Sequence, residues 1–214
     1  MHATAIAQPN IALIKYWGKR NISENLPAVG SISITLSDLY TEVNVNFKPR
    51  LSKDELIVNG ERNFEMLPRI AKCIDNILGE KRSRVQVKSI SNFPISAGLA
   101  SSASAFAATT KAIASAADLS YTNLELAKFA AKASGSAARS FYGGFVELKN
   151  VRNQIEVKSL CEASSWPLEV IIAITETRQK AIGSSLAMEI SRKTSPFYNS
   201  WISQQDRDLE IARL

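Results

Sequence analysis

The spacing of apolar residues changes period near residue 64, and this change sorts the first hundred residues into two kinds of structure. Residues 3–60 are β-rich: Ile32, Ile34 and Leu36 alternate with Ser33 and Thr35, and Val43, Val45 and Phe47 alternate with Asn44 and Asn46. Successive side chains of a strand point to opposite faces, so a period of two predicts half-buried antiparallel strands. Leu56, Ile57 and Val58 predict a strand running into a tight turn at Asn59-Gly60, two residues that tolerate positive φ. Between 64 and 79, Met66, Ile70, Cys73, Ile74, Ile77 and Leu78 fall on one helical face, which Gly79 stops. Residues 85–90 return to strand. An Ala-rich helix then places Ala103, Phe106, Ala107, Ile113, Ala114 and Ala117 at helical spacing. Thr122 and Glu125 form a capping box for the next helix. Further on come a short helical turn carrying Arg139, a strand at 145–148, an apolar strand at 168–174, and helices from about Ala181.

Composition narrows the function by exclusion. With 45% hydrophobic and 21% charged residues, the 214-residue chain has a globular balance. A chain of this length buries roughly 70% of its unfolded surface. The one histidine, His2, and the distant Cys73 and Cys161 exclude a His/Cys zinc site and leave no Ser-His-Asp route. Both cysteines read as small apolar residues rather than a disulfide. No run approaches the roughly 18 apolar residues of a membrane span, and the N-terminus lacks a secretory pattern. The net charge of +6 favours an acidic partner without choosing one. The last residues, 208–214, remain helix-forming with no stop signal, so the natural chain is expected to continue past Leu214.

Three segments carry chemistry. Pro94, Gly98, Leu99, Ala100, Ser101 and Ser102 lie where a strand gives way to a helix, and a helix N-terminus favours an anion. Small side chains there (Ser96, Ala97, Ala100, Ala103) leave room for a polyphosphate, although the same residues also suit a Ser-capped core helix. No Gly-Lys-Ser/Thr follows, so this is not a Walker A loop. The second segment, Ser134-Gly135-Ser136-Ala137-Ala138-Arg139-Ser140, sets Ser136 and Arg139 on one helical face, a receptor for carboxylate or phosphate. Pairing of Arg139 with Glu147 is the structural alternative. The third is Asn10 to Arg20, a hydrophobic strand leading into Tyr16, Trp17, Gly18 and Lys19, with Lys15 and Arg20 suited to a solvated face.

Together these segments resemble the mevalonate diphosphate decarboxylases, a branch of the GHMP kinase superfamily. The likeness is carried by NIALIKYWGKR at 10–20, SISITLS at 31–37, NFPISAGLASSASAFAA at 92–108, SGSAARSFYGGFVEL at 134–148 and TSPFYNSW at 194–201. It implies an α+β, GHMP-kinase-like fold: a ribosomal-protein-like N-terminal domain at 1–180, and the start of an incomplete C-terminal α+β domain at 181–214. It implies ATP and Mg²⁺ as cofactors, mevalonate 5-diphosphate as substrate, a homodimer, a cytoplasmic location, and no nucleic-acid or membrane partner.

The resemblance assigns Gly98, Leu99, Ala100, Ser101 and Ser102 to the ATP phosphates. Tyr16, Trp17, Gly18, Lys19 and Arg69 would meet the substrate, with Ser184 and Ser185 at its diphosphate. Ser134, Gly135, Ser136, Ala137 and Ala138 would line its pocket. Arg139 would pair with its carboxylate, held by a side-chain hydrogen bond from Asn10. The family's catalytic aspartate, in an Asp-Ala-Gly-Pro-Asn segment, has no counterpart before Leu214, so the 214 residues alone are expected to be inactive. Gly183 stands where the family commonly has Ser, and Ala138 where it commonly has Cys. A mevalonate 3-kinase or a bisphosphomevalonate decarboxylase is the alternative within the fold. A basic RNA-binding module is the alternative outside it, though the positive residues are scattered rather than ordered as a stripe.

Overall fold

The computed structural model describes residues 1–95, 98–173 and 181–213. Its strands are β1 (His2–Ala7), β2 (Asn10–Ile14), β3 (Lys19–Asn21), β4 (Leu26–Pro27), β5 (Ser31–Thr35), β6 (Thr41–Phe47), β7 (Glu55–Val58), β8 (Glu61–Arg62), β9 (Val85–Ser91), β10 (Phe145–Val151) and β11 (Gln154–Cys161). The α-helices are α1 (Leu67–Leu78), α2 (Ser101–Ala116), α3 (Asn123–Ala133), α4 (Ser184–Thr194) and α5 (Tyr198–Ile211), and a 3₁₀ helix covers Gly135–Phe141.

Strands β1-β6-β9-β7-β8 form one sheet, β11-β10-β5-β2 a second, and β3-β4 a small ribbon. All neighbours run antiparallel except β7 and β9, which are parallel because α1 carries the chain back between them. Asn59 and Gly60 both take positive φ in the two-residue turn from β7 to β8, as their sequence predicts. The predicted face of α1 is the buried one, through Ile70, Cys73, Ile74 and Ile77, and Gly79 ends the helix at φ 81°. The capping box of α3 is complete, with Thr122 N–H donating to Glu125 and Glu125 N–H to Thr122 Oγ1.

Helix α2 is the axis of the core. Its alanines let β1 and β6 approach on one side, and α1, α3 and the 3₁₀ helix on the others. Phe106, Ile113 and, from α1, Ile74 are fully buried, each contributing about 1.5–3 kcal/mol of hydrophobic stabilisation. This core runs from Ala7 to Ile155 and takes no residue from α4 or α5. Instead α5 covers the second sheet: Leu209 fills the space a side chain at Gly30 would need, and Arg213 pairs with Glu147 at 2.6 Å. Both cysteines are free thiols.

Two expectations need correction. Residues 168–173 form no strand, and Ile174 lies outside the described residues. A strand needs a ladder partner; none lies beside this segment among the described residues, and Ile171 is 92% exposed. Conversely β11 was not expected. It pairs with β10 across Arg152 and Asn153, both at positive φ, and extends β10 to Val151.

Candidate active site

Residues 134–141 bring α3 back across the second sheet. In a 3₁₀ helix positions i and i+3 eclipse, so Ser136 and Arg139 do share a face. The Arg139 side chain lies on the face of the sheet shared by β2 and β5. Across that pair Asn10 lies opposite Thr35 and Ala12 opposite Ser33, so Asn10, Ser31 and Ser33 share one face of the sheet. Arg139 Nε donates to Ser33 Oγ at 2.9 Å and to Asn10 Oδ1 at 3.2 Å, Nη2 to Asn10 Oδ1 at 3.0 Å, and Nη1 to Ser31 Oγ.

The orientation of Asn10 is fixed by its other end. Its Nδ2 donates to the Ser136 carbonyl at 3.1 Å and to Ser140 Oγ at 2.8 Å; a carbonyl can only accept, so Oδ1 must face the guanidinium. The resemblance placed Asn10 at Arg139, but Ser31 and Ser33 entered only as part of the alternating segment SISITLS, with no role at the guanidinium. Their signal was the hydroxyl at every second position, where Ser31 and Ser33 prove fully buried and Thr35 half-buried.

Arg139 is 2% exposed, and among the described residues no carboxylate pairs with it. Glu147, the structural alternative, is taken by Arg213 and Lys149. Burial pulls the guanidinium down to about 10, with Tyr16 opposing slightly. A guanidinium has five N–H groups, of which Nε–H, one on Nη1 and one on Nη2 are engaged; two remain on a side chain that lines the cleft. A buried charge without a counter-charge is costly, and an arriving anion relieves that cost.

The segment from Tyr16 to Lys19 forms the adjoining wall. The Tyr16 ring lies 2.8 Å from where a Cβ on Gly135 would sit, so the glycine admits the aromatic ring. The Tyr16 hydroxyl is buried with no hydrogen-bond partner among the described residues, and its pKa is pushed up to about 12, chiefly by burial. Gly18 has φ 103°, and the Tyr198 hydroxyl occupies the place of its missing side chain, a contact the sequence did not disclose. Lys19 Nζ donates to Ser185 Oγ at 3.0 Å, joining this wall to the first turn of α4, where Ser184 also lines the cleft. Burial, then the charge of Arg69, lowers the Lys19 pKa. Arg69 reaches in from α1, donates to the Ala133 carbonyl at 2.8 Å, and stacks 5.0 Å above the Phe106 ring. Trp17 lines the cleft; Lys15 also reaches it, and Arg20 is exposed.

The third wall is the entry to α2. Gly98 takes φ 88° and Ala100 φ 50°, and Ala100, not a serine, caps the helix. Ser96 and Ala97 lie outside the described residues. Ser101 and Ser102 then begin the helix at the cleft, and hydroxyls continue from Ser102 to Ser134 at 3.5 Å and from Ser134 to Ser136 at 3.3 Å. The three walls enclose about 770 Å³. Four expected site residues stand behind them. Ala137 and Ala138 are buried in the core, Leu99 anchors the loop from within, and Gly18 lies under Tyr198. Apolar or side-chain-free positions of this kind shape the wall from behind.

Residues 7–161 match the family described as the diphosphomevalonate decarboxylase-like N-terminal domain. A diphosphomevalonate decarboxylase of Candida albicans is 35% identical over 95% of this chain and 62% of its own length. The structure of MDDEF in complex with MVAPP, AMPPCP and magnesium superposes with a TM-score of 0.85 at 33% identity, over 98% of this chain and 66% of that one. The mevalonate diphosphate decarboxylase of Staphylococcus aureus gives 0.83 at 34% identity, over 100% and 67%. The chain thus spans about three-fifths of the curated relative.

Proposed function

Because the chain belongs to the diphosphomevalonate decarboxylase-like family, with its α+β GHMP-kinase-like fold, we propose that its cleft serves the ATP-dependent decarboxylation of mevalonate 5-diphosphate to isopentenyl diphosphate. One observation supports this reading above the others: a buried guanidinium, paired with no carboxylate among the described residues, lines a cleft with hydroxyls and three further cations, Lys15, Lys19 and Arg69. The substrate carries one carboxylate and one diphosphate. Arg139, held by Asn10, takes the carboxylate. Tyr16, Lys19 and Arg69, with Ser184 and Ser185, take the diphosphate, while Ser134 and Ser136 shape the floor.

ATP is the second substrate. A loop with Gly98 and Ala100 at positive φ opens a 16-residue helix and turns the positive end of its dipole to the cleft, and Gly98 has open space among the described residues where a Cβ would be. These features fit a polyphosphate. Mg²⁺ would be held by the phosphates with the hydroxyls of Ser101 and Ser102, and it supplies charge neutralisation.

Phosphoryl transfer forms the oxygen–phosphorus bond at the tertiary hydroxyl, releases ADP and the hydroxyl proton, and converts that oxygen into a leaving group. The carbon–oxygen bond then breaks and phosphate departs. The carbon–carbon bond to the carboxylate breaks next, and its electron pair becomes the double bond as CO₂ leaves. Arg139 orients the carboxylate for that loss through neutral-supported hydrogen bonds, and the burial of the site keeps those contacts strong. We further propose a division near residue 180, a homodimer, a cytoplasmic location and no nucleic-acid partner. The core's confinement to residues 7–155 supports the division, and no described helix is long and apolar enough to cross a membrane.

The test is product stoichiometry. Protein made from the complete open reading frame, given mevalonate 5-diphosphate and ATP, should release CO₂ and ADP in equal amounts. ADP without CO₂ would point instead to a 3-kinase, and neither product would refute the reading.

A further inference from the structure

We infer that Ser31 and Ser33 are positioning residues for substrate recognition: their buried hydroxyls aim the Arg139 guanidinium at the ligand's carboxylate without taking its charge. This rests on the proposed role of Arg139. The two serines occupy alternate positions of β5, are both fully buried, and accept from different nitrogens of Arg139. A buried hydroxyl is costly unless bonded, and each of these meets that requirement through the guanidinium.

Asn10 alone would leave the guanidinium free to rotate about one acceptor, because Nε and Nη2 both end on the same oxygen. Ser33 on Nε and Ser31 on Nη1 add two further points and so define the plane of the group. The chemical identity of these acceptors matters as much as their place. Arg82, also buried, is held by the carboxylates of Asp54 and Asp75, and its charge is spent within the fold. Hydroxyls and an amide fix Arg139 while leaving a full positive charge for an anion.

Titration calorimetry on the complete protein with two ligands tests this inference. Mevalonate 5-diphosphate has the carboxylate; isopentenyl diphosphate keeps the diphosphate and lacks it. Ser33→Ala, and separately Ser31→Ala, should weaken the first ligand about tenfold and leave the second within twofold. Removing an acceptor also removes support for the charged guanidinium. The alkaline loss of affinity for the first ligand should therefore begin about half a pH unit lower in each variant, a shift that loosened packing alone would not produce. The inference is overturned if both variants bind both ligands as wild type does, or if both ligands weaken equally. If wild-type protein does not prefer the carboxylate-bearing ligand, the reading of Arg139 itself fails, and this inference with it.

Discussion

Arg82 and Arg139 are both nearly sealed from solvent, the first with 3% of its side chain exposed and the second with 2% of the residue, yet their surroundings differ in kind. Arg82 donates to Asp54 at 2.6 and 3.0 Å and to Asp75 at 2.8 Å, while Asp54 also accepts the Val85 N–H. Burial lowers its pKa, but the two carboxylates outweigh burial and the net shift is upward. Among the described residues Arg139 has the neutral partners Asn10, Ser31 and Ser33, and burial wins. A charge neutralised inside the fold ties α1 to β7 and β9. A charge left open inside a cleft awaits a ligand.

Exchanging the two situations gives the sharpest tests. Arg139→Leu should lower turnover by about 10³-fold, with ATP affinity within twofold and stability within about 1 kcal/mol, measured by steady-state kinetics and denaturant unfolding. Asp54→Ala should do the converse. It leaves Arg82 under-compensated and costs about 3–5 kcal/mol of stability, while the folded fraction keeps its affinity for substrate. Asn10→Asp, close to isosteric, would give Arg139 a carboxylate of its own. Substrate affinity should then fall about a hundredfold by calorimetry, although the fold persists.

pH supplies the mildest test. In wild-type protein, the preference for the carboxylate ligand over isopentenyl diphosphate, in which deprotonation of Lys19 cancels, should hold below about 10 and fall about tenfold per unit above it, as Arg139 loses its proton. The sign for stability is the opposite. A cation whose folded pKa is depressed costs the fold stability while charged, and the cost is relieved as pH rises past that value. Arg82, shifted upward, contributes stability throughout that range.

The contrast also marks how far the sequence can be read. Strands β5 and β6 both alternate, Ser-Ile-Ser-Ile-Thr against Thr-Glu-Val-Asn-Val-Asn-Phe, and both were legible as strands. The polar residues Glu42, Asn44 and Asn46 of β6 stay partly solvated, as alternation implies, whereas Ser31 and Ser33 of β5 are buried around Arg139. Period reports which residues share a face, and only the tertiary fold decides what covers it. Arg82 sits among Lys81 and Arg84 in what reads as a solvated loop; its carboxylates come from 28 and 7 residues away. The three site segments, by contrast, were visible locally: glycine and serine mark two helix entries, and Tyr16, Trp17 and Lys19 follow directly on the strand at Asn10–Ile14. Tyr198 against Gly18 was not, since 180 residues separate a side chain from the space it fills.

The most direct measurement is a crystal structure of the complete protein with mevalonate 5-diphosphate bound. The account predicts the ligand carboxylate within about 3 Å of Nη1 and Nη2 of Arg139, with Asn10, Ser31 and Ser33 still holding the other side. A carboxylate bound elsewhere, with Arg139 contacting protein alone, would contradict it.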